Sequence, residues 1–354
     1  MNTVGLCIEP LDVLFFRDGR PFDAAARVIT GLPAPQVLVG AVRTVLLEKY
    51  GCNFVDLGMK QKKGISFADA LPESLRWIAD LRFRGPWLAK IPTRDSQMIP
   101  DVFLPMPNTV HTDKKRAGDV VRVLRPLAEL PPGWCESLRP LWLNGTEPTD
   151  LATGFIDAIG LADFLNNRTP AKRNLHLSSE FFEFDHRTGI GIDMTRMVTG
   201  DGEIFGIGLL SMKSEFGFYA EVELPIKIRD DPFAGIEFVA FGGEGKRARL
   251  KTVSQFNFPS ATSTPASKRF LLLTTPCLAS GGGVPTQLTN CIAAAVNSPV
   301  AFSGWDIARS APKPTRFAIP AGSVYFFDTI DLPNPNLTDE LGFGCYLEGV
   351  WTDG

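Results

Sequence analysis

Apolar and polar residues alternate near the N-terminus, with Val4, Leu6 and Ile8 set against Gly5, Cys7 and Glu9. Successive side chains of a strand point to opposite faces, so this pattern predicts a half-buried strand over Thr3–Glu9 that Pro10 ends. The stretch LDVLFFRDGRPF follows, and its Asp18-Gly19 pair reads as a tight turn flanked by Arg17 and Arg20. From Pro35 to Tyr50 the spacing changes. Leu38, Val42, Val45 and Leu46 form a helical stripe, Pro35 suits a first helical position and Gly51 a terminator, which predicts one helix after one strand. Arg43 lies within this apolar helix.

Residues 52–178 carry many prolines, a Lys114-Lys115-Arg116 cluster and only short apolar pieces, and they read as an insertion with a mobile polar loop around Asn108–Asp119. The periodicity of two then returns. FFEFDHRTGIGID, the connection MTRMVT, a turn at Gly200-Asp201-Gly202 and EIFGIGLL predict a long hairpin over about 186–210. Phe216, Phe218, Ala220, Val222 and Leu224 alternate with Gly217, Tyr219, Glu221 and Glu223 as a clear strand. Further strands are expected at 237–241, 270–274 and 318–327, and in LGFGCYLEGVW. Two antiparallel α+β units follow from this order, 1–225 and 226–354, with a boundary near Pro225–Pro232.

FGGEGKRARL, residues 241–250, holds the densest candidate chemistry. A magnesium-nucleotide loop would place glycine at 240 and a hydroxyl at 247, but those positions are Ala240 and Arg247. Arg247, Arg249 and Lys251 alternate with Ala248, Leu250 and Thr252, the spacing of a strand and not of a helix. What survives is strand, glycine turn, basic strand. Gly242 and Gly243 could expose backbone N–H groups to a phosphate while Lys246, Arg247 and Arg249 extend the positive field. A tight hairpin turn with a solvated basic edge explains the same residues.

Length and composition narrow the choice. A chain of 354 residues favours two domains, and 33 glycines with 28 prolines favour turns and short strands over a helical bundle. The net charge of −3 argues against a uniformly basic nucleic-acid binder, so any RNA contact must be local. No basic leader precedes the first apolar run and no run is long enough to span a bilayer, which leads us to expect a cytoplasmic protein without membrane contact. The six cysteines are scattered, without a CxxC pair or a neighbouring histidine, so neither a metal site nor a disulfide framework is expected.

Candidates for catalysis are sparse. His111, His176 and His186 never meet at metal-ligand spacing, although His186 is a candidate general base. Glu183 and Asp185 share a strand face near Asp193, so a two-carboxylate hydrolase of carbohydrate stays open beside the plainer reading of a solvated face. Neither a nucleophile elbow nor a dinucleotide fingerprint is present.

The ordered set CIEPLDVLFFRDGRPF, GAVRT, RTGIGID, GDGEIF, FGGEGKR, SGWD, IPAGSVYFF and GFGCYLEGVW resembles the third-subunit family of Cmr complexes, RAMP-superfamily proteins of type III-B CRISPR effectors. The resemblance spans both ends and most of the middle, and 52–178 carries little of it. It implies two tandem ferredoxin-like (RRM-related) domains with a long insertion and a β-hairpin thumb. It also implies a noncatalytic, cofactor-free role at the foot of an effector, holding the 5′ tag of the guide RNA, with the large palm-domain subunit and an adjacent backbone RAMP subunit as partners and target RNA nearby. The matched RNA-binding residues are Arg17, Asp18 and Arg20, Arg43, and Gly242, Gly243, Glu244, Lys246 and Arg247. Arg249 is added from the strand face, and Gly322-Ser323 match the family pattern but also suit a structural turn. Some related RAMP proteins cleave precursor RNA, which makes an endonuclease using His186 or a carboxylate the alternative.

Overall fold

The computed structural model describes residues 2–16, 27–29, 31–92, 99–114, 120–143, 145, 147–193, 198–226, 228, 230–262, 268–280, 282–306, 311–330, 332 and 334–352. Of these, 27–29, 189–193, 198–205, 305–306 and 311–312 are described by backbone alone. Along the chain, β1 (Asn2–Pro10) precedes α1 (Pro35–Lys49) and α2 (Phe54–Lys62), which lead to β2 (Arg82–Lys90) and β3 (Asp101–Pro105). Next come β4 (Phe155–Ile156), α3 (Ala158–Leu165), β5 (Leu175–His176), the hairpin pair β6 (Phe182–Asp193) and β7 (Val198–Met212), and β8 (Phe216–Leu224). The chain continues through β9 (Phe238–Ala240) and β10 (Arg247–Val253) to β11 (Lys268–Leu273), β12 (Cys291–Ala295), β13 (Val324–Phe327) and β14 (Tyr346–Trp351).

Two antiparallel sheets carry the architecture. The larger has eight strands in the order β5-β4-β3-β2-β8-β1-β10-β9, and the smaller has four in the order β12-β13-β11-β14. Strand β1 is central, pairing with β8 from Asn2↔Leu224 to Ile8↔Phe218 and with β10 from Gly5↔Val253 to Pro10↔Ala248. The alternation of β1 serves two cores. Leu6 and Ile8 join one with Leu38, Val42 and Leu46 of α1, while Cys7 joins another with Tyr219, Trp87 and residues of the smaller sheet such as Phe270, Phe326 and Trp351. The strand is therefore buried on both faces, with Leu6 and Cys7 both 0% exposed, where the sequence predicts only half burial.

Three expectations change. Residues 52–178 are not all an insertion, because β2 lies between β8 and β3 and is a principal strand of the main sheet. Only the stretch between β3 and β4 stands apart, built on short strands at Val110–Asp113, Val121–Val123 and Thr149–Leu151. There Asn108 and Thr109 are buried, not in a mobile loop, while 115–119 lie outside the described residues. The sheet built on β1 also runs past residue 225, since β9 and β10 complete it as far as Val253. Finally, Gly200-Asp201-Gly202 makes no turn. The register jumps from Ile190↔Ile204 to Ile192↔Thr199, so these glycines lie in an irregular stretch within β7 and the hairpin connection is at 194–197, outside the described residues.

Gly322-Ser323 has a structural place. Gly322 has φ 87°, its N–H donates to the Leu273 carbonyl, its carbonyl accepts from Asn108 N–H at 2.8 Å, and Ser323 is fully buried. A Cβ at 322 would overlap the Met106 carbonyl, so glycine is required where the insertion meets the smaller sheet.

One buried charge ties β8 to the crossing between sheets. Glu221 is 1% exposed and accepts from the Tyr219 hydroxyl at 3.0 Å and from Arg84 at 3.1 Å, while Phe256 N–H donates to Tyr219 Oη at 2.8 Å. Burial raises the Glu221 pKa above the ordinary 4.5, against the opposing pull of Arg84. The folded chain therefore keeps this proton to higher pH than the unfolded chain, and stability drains as pH climbs through and above 4.5. Glu221→Gln keeps an oxygen acceptor for Tyr219 and cannot ionise. Urea unfolding is expected to show the variant gaining on its parent between about pH 4.5 and about pH 8; a constant difference across that range would contradict the buried-carboxyl account.

Candidate nucleic-acid interface

The chain leaves β1 through Leu11–Phe16, and this segment gathers the candidate motifs. Leu14 exchanges backbone hydrogen bonds with Leu210 of β7, at 2.7 and 2.8 Å. One residue later, the Phe15 carbonyl accepts the Gly243 N–H at 2.8 Å, and the Phe16 ring meets Phe241 edge-on at 5.4 Å. The glycine loop is thus clamped beside the base of the β6-β7 hairpin. Arg17, Asp18 and Arg20 follow at once but lie outside the described residues; beyond them Arg27–Ile29 pairs in parallel with Gly206–Gly208 of the same β7.

Within the loop, backbone shape and side-chain charge are separated. Phe241 N–H donates to the Lys246 carbonyl at 2.9 Å and Lys246 N–H to that of Gly243 at 3.2 Å. Gly242 has φ 96°, and a Cβ there would lie 2.8 Å from the Phe15 carbonyl oxygen. Gly243 has an ordinary φ, and a Cβ there would meet the flexible Phe15 ring at 3.2 Å and the Phe15 carbonyl oxygen only at an ordinary 3.7 Å. Both glycines therefore dock the root of the loop on Phe15, and the Gly243 N–H is already taken. The apex is open: nothing approaches within 4 Å of a Cβ at Gly245. Among the described residues the N–H groups of Gly242, Glu244 and Gly245 have no protein acceptor.

The basic strand face holds its own acids. Lys246 Nζ lies 3.0 Å from Asp12 Oδ2, and this hydrogen bond holds the Asp12 carboxyl below the ordinary aspartate range. Arg249 reaches Glu9 at 3.4 Å and Glu237 at 4.0 Å, and Lys251 reaches Glu9 at 3.1 Å. Register explains the pairing, because Glu9 and Phe238 flank Arg249 on the two neighbouring strands. Arg247 differs: it is exposed, makes no ion pair among the described residues, and its guanidinium lies 5.7 Å from the Phe238 ring centroid. Surface pairs of this kind contribute under about 1 kcal/mol each, so a phosphate can displace them. Glu9, Asp12, Phe15 and Phe238 were missed in the sequence because their partners are 228 or more residues away or on a strand whose register is not visible locally; only Lys251 was already legible in the alternation.

Arg43 is placed apart from this cluster. Its Nη2 donates to the Ala79 carbonyl at 2.8 Å, its guanidinium lies against the Phe67 and Phe83 rings at 5.2 and 5.7 Å, and burial pushes its pKa down. It fastens α1 to the approach to β2. The histidines also stay separate: His111 bonds Thr149 in the insertion, His176 lies between Glu180 and Asp157, and His186 is exposed on β6. Glu183 pairs with Lys213 and Asp185 with Arg187. Among the described residues no group of three His, Cys, Asp or Glu side chains is placed to hold a metal ion.

Residues 6–351 match the family model described as CRISPR-associated protein (Cas_Cmr3), and the chain belongs to that family. No curated protein matches it in sequence. The fold is similar to a chain in the cryo-EM structure of the type III-B Cmr-beta complex bound to cognate target RNA and AMPPnP, with TM-score 0.50 and 16% identity over 91% of this chain and 86% of that one. The same complex bound to cognate target RNA alone gives TM-score 0.50 and 16% identity, covering 92% and 86%. A chain of the Csm3-Csm4 subcomplex from a type III-A interference complex is also similar, at TM-score 0.44 and 10% identity over 97% and 98%.

The docking geometry separates the two glycines. Gly242→Ala is expected to destabilise the protein by about 1–3 kcal/mol through its left-handed backbone and the Phe15 carbonyl, and Gly243→Ala by well under about 1 kcal/mol. Chemical denaturation of the two variants checks this; equal losses would refute the clamp at Phe15.

Proposed function

We propose that this chain is a noncatalytic RNA-binding scaffold subunit of a type III-B CRISPR effector. It holds the 5′ repeat-derived tag of the guide RNA at the foot of the complex, in the cytoplasm and in the service of antiviral defence. The large palm-domain subunit and the adjacent backbone RAMP subunit are its neighbours, with target RNA close by. One observation carries the reading: the Phe15 clamp brings the glycine loop, the hairpin base and the entry to Arg17, Asp18 and Arg20 to one corner of the molecule. Family membership supports it, as do the Cmr-beta structures of similar fold, which contain target RNA.

Strand order supports the tandem ferredoxin-like reading. Taking β1, β2, β8 and β10 as first to fourth, the first lies between third and fourth, with the second outside the third. Strands β11, β12, β13 and β14 repeat that order. In the larger sheet α1 crosses between first and second strand; the turns at 232–235 stand where a second helix would be, fastened by Lys49 Nζ to the Pro232 and Ala234 carbonyls. The noncatalytic role is supported by the dispersal of the histidines, and no helix among the described residues is long and apolar enough to cross a membrane. Incubation of the purified chain with precursor or target RNA, with and without divalent metal, is expected to leave both intact. Site-specific cleavage lost in His186→Ala would establish the endonuclease instead.

Charge pairing sharpens the RNA test. Arg247, which has no acidic partner among the described residues, is expected to set the salt dependence; Lys246 shares its charge with Asp12. In the assembled complex, Arg247→Ala should weaken guide binding across tag sequences and reduce the slope of log affinity against log salt by about 0.7. Lys246→Ala should change that slope less. Fluorescence binding across a salt series reads both, and unchanged affinity in both variants would return the loop to a structural hairpin.

A further inference from the structure

The apex of the glycine loop has the handedness of a type I′ turn: Glu244 and Gly245 have φ 57° and 66°, and the Lys246 N–H bonds back to the Gly243 carbonyl. Gly, Asn and Asp dominate the first central position of such turns, because a short polar side chain bonds locally and tolerates the left-handed region. Glu244 has neither advantage. It is exposed and forms no hydrogen bond or ion pair among the described residues, although two basic residues follow within three positions. Lys246 is turned to Asp12 and Arg247 to Phe238. A longer carboxylate therefore occupies a position whose backbone favours a shorter residue, at the free end of a loop whose root is clamped. Strain retained at an exposed apex points to a use for the side chain.

The chemistry of that use follows from the groups beside it. The N–H groups of Gly242, Glu244 and Gly245, unbonded among the described residues, suit a phosphate, but a phosphate alone is repelled by a carboxylate. A nucleotide satisfies both, with its phosphate on the amides and its base on the acid. A carboxylate presents two acceptors side by side. Guanine alone among the four bases offers two adjacent donors, N1–H and N2–H, on its Watson–Crick edge, which is free in single-stranded RNA. Adenine and cytosine place an acceptor beside their amino group, and uracil sets its N3–H between two carbonyls. We infer that Glu244 reads one unpaired guanine of the bound guide RNA by accepting its N1–H and N2–H. This rests on the RNA-binding role proposed for the loop.

The test uses the assembled complex and synthetic guides in which each guanine of the 5′ segment is replaced singly by inosine, which lacks the N2 amino group. At one position inosine is expected to weaken binding to the parent complex about tenfold, and the effect should vanish in Glu244→Gln and in Glu244→Asn. The asparagine variant suits the turn better, so its melting temperature should not fall, which separates loss of recognition from loss of fold. The inference is overturned if no guanine position couples to Glu244, or if both variants raise affinity equally for every sequence, as for simple repulsion of phosphate. It is equally overturned if they release a protein subunit while RNA affinity holds, since the carboxylate would then face a partner's cation. A parent complex that fails to bind guide RNA at all would bring down the RNA-binding role itself, and this assignment with it.

Discussion

The antiparallel pairing of β1 on both edges is the constraint from which the rest follows. A strand with apolar or small residues on both faces cannot be left at a sheet edge, where one row of its N–H and C=O groups would be open to water or to another chain. β8 fills one side and β10 the other, so the chain must return to its own beginning after more than two hundred residues. That return delivers the glycine loop, which joins β9 to β10, to the segment leaving β1 at the same end of the antiparallel β1-β10 pair. The contact of Gly243 with Phe15 is a consequence of strand register.

The electrostatics of the site follow from the same register. Glu9 of β1 lies directly beside Arg249 of β10, and Asp12, just beyond the end of β1, meets Lys246 just before β10. The basic stripe is therefore held in place and largely neutralised before any ligand arrives, in keeping with a chain of net charge −3. Acids at this distance fix the directions of long, flexible cations, and exposed pairs of this strength yield readily to a polyanion. Arg247 lies over the Phe238 ring and has no acid beside it among the described residues, so its charge is open to a partner.

Four strands of the larger sheet share the order of the smaller, but the two sheets are fastened differently. The larger keeps a helix against its outer face, whereas the smaller packs one face toward the larger through Phe270, Phe326 and Trp351 and covers the other with Leu271, Leu273, Tyr325 and Phe327 from its own strands and loop residues such as Leu288 and Leu337. The buried Tyr219–Glu221–Arg84 group fixes the crossing between them, because a carboxylate so deeply buried tolerates only a fully bonded arrangement.

Strong local periodicity made several elements legible. The alternation at 3–9 and 216–224 and the stripe of α1 match the structure within a residue or two, although both strands prove buried on both faces. The hairpin was legible as a pair joined within 194–199, but the turn expected at Gly200-Asp201-Gly202 is not made, because Gly-Asp-Gly is equally a turn signal and an irregularity within a strand. The region 52–178 concealed β2, β3 and the short strands of the insertion: Pro86 and Arg84 interrupt the apolar pattern of β2, and strands of two to four residues are too short to show a period. Residue types and spacing by themselves determined the strand-turn-strand at 238–253, the glycines of its turn and the cations available there. Only the tertiary structure decided that Phe15 clamps the loop, that Asp12 and Glu9 temper its charge and that Arg43 is spent within the fold, because hydrogen bonds and ion pairs between residues so far apart in sequence exist only once the sheet has set its register.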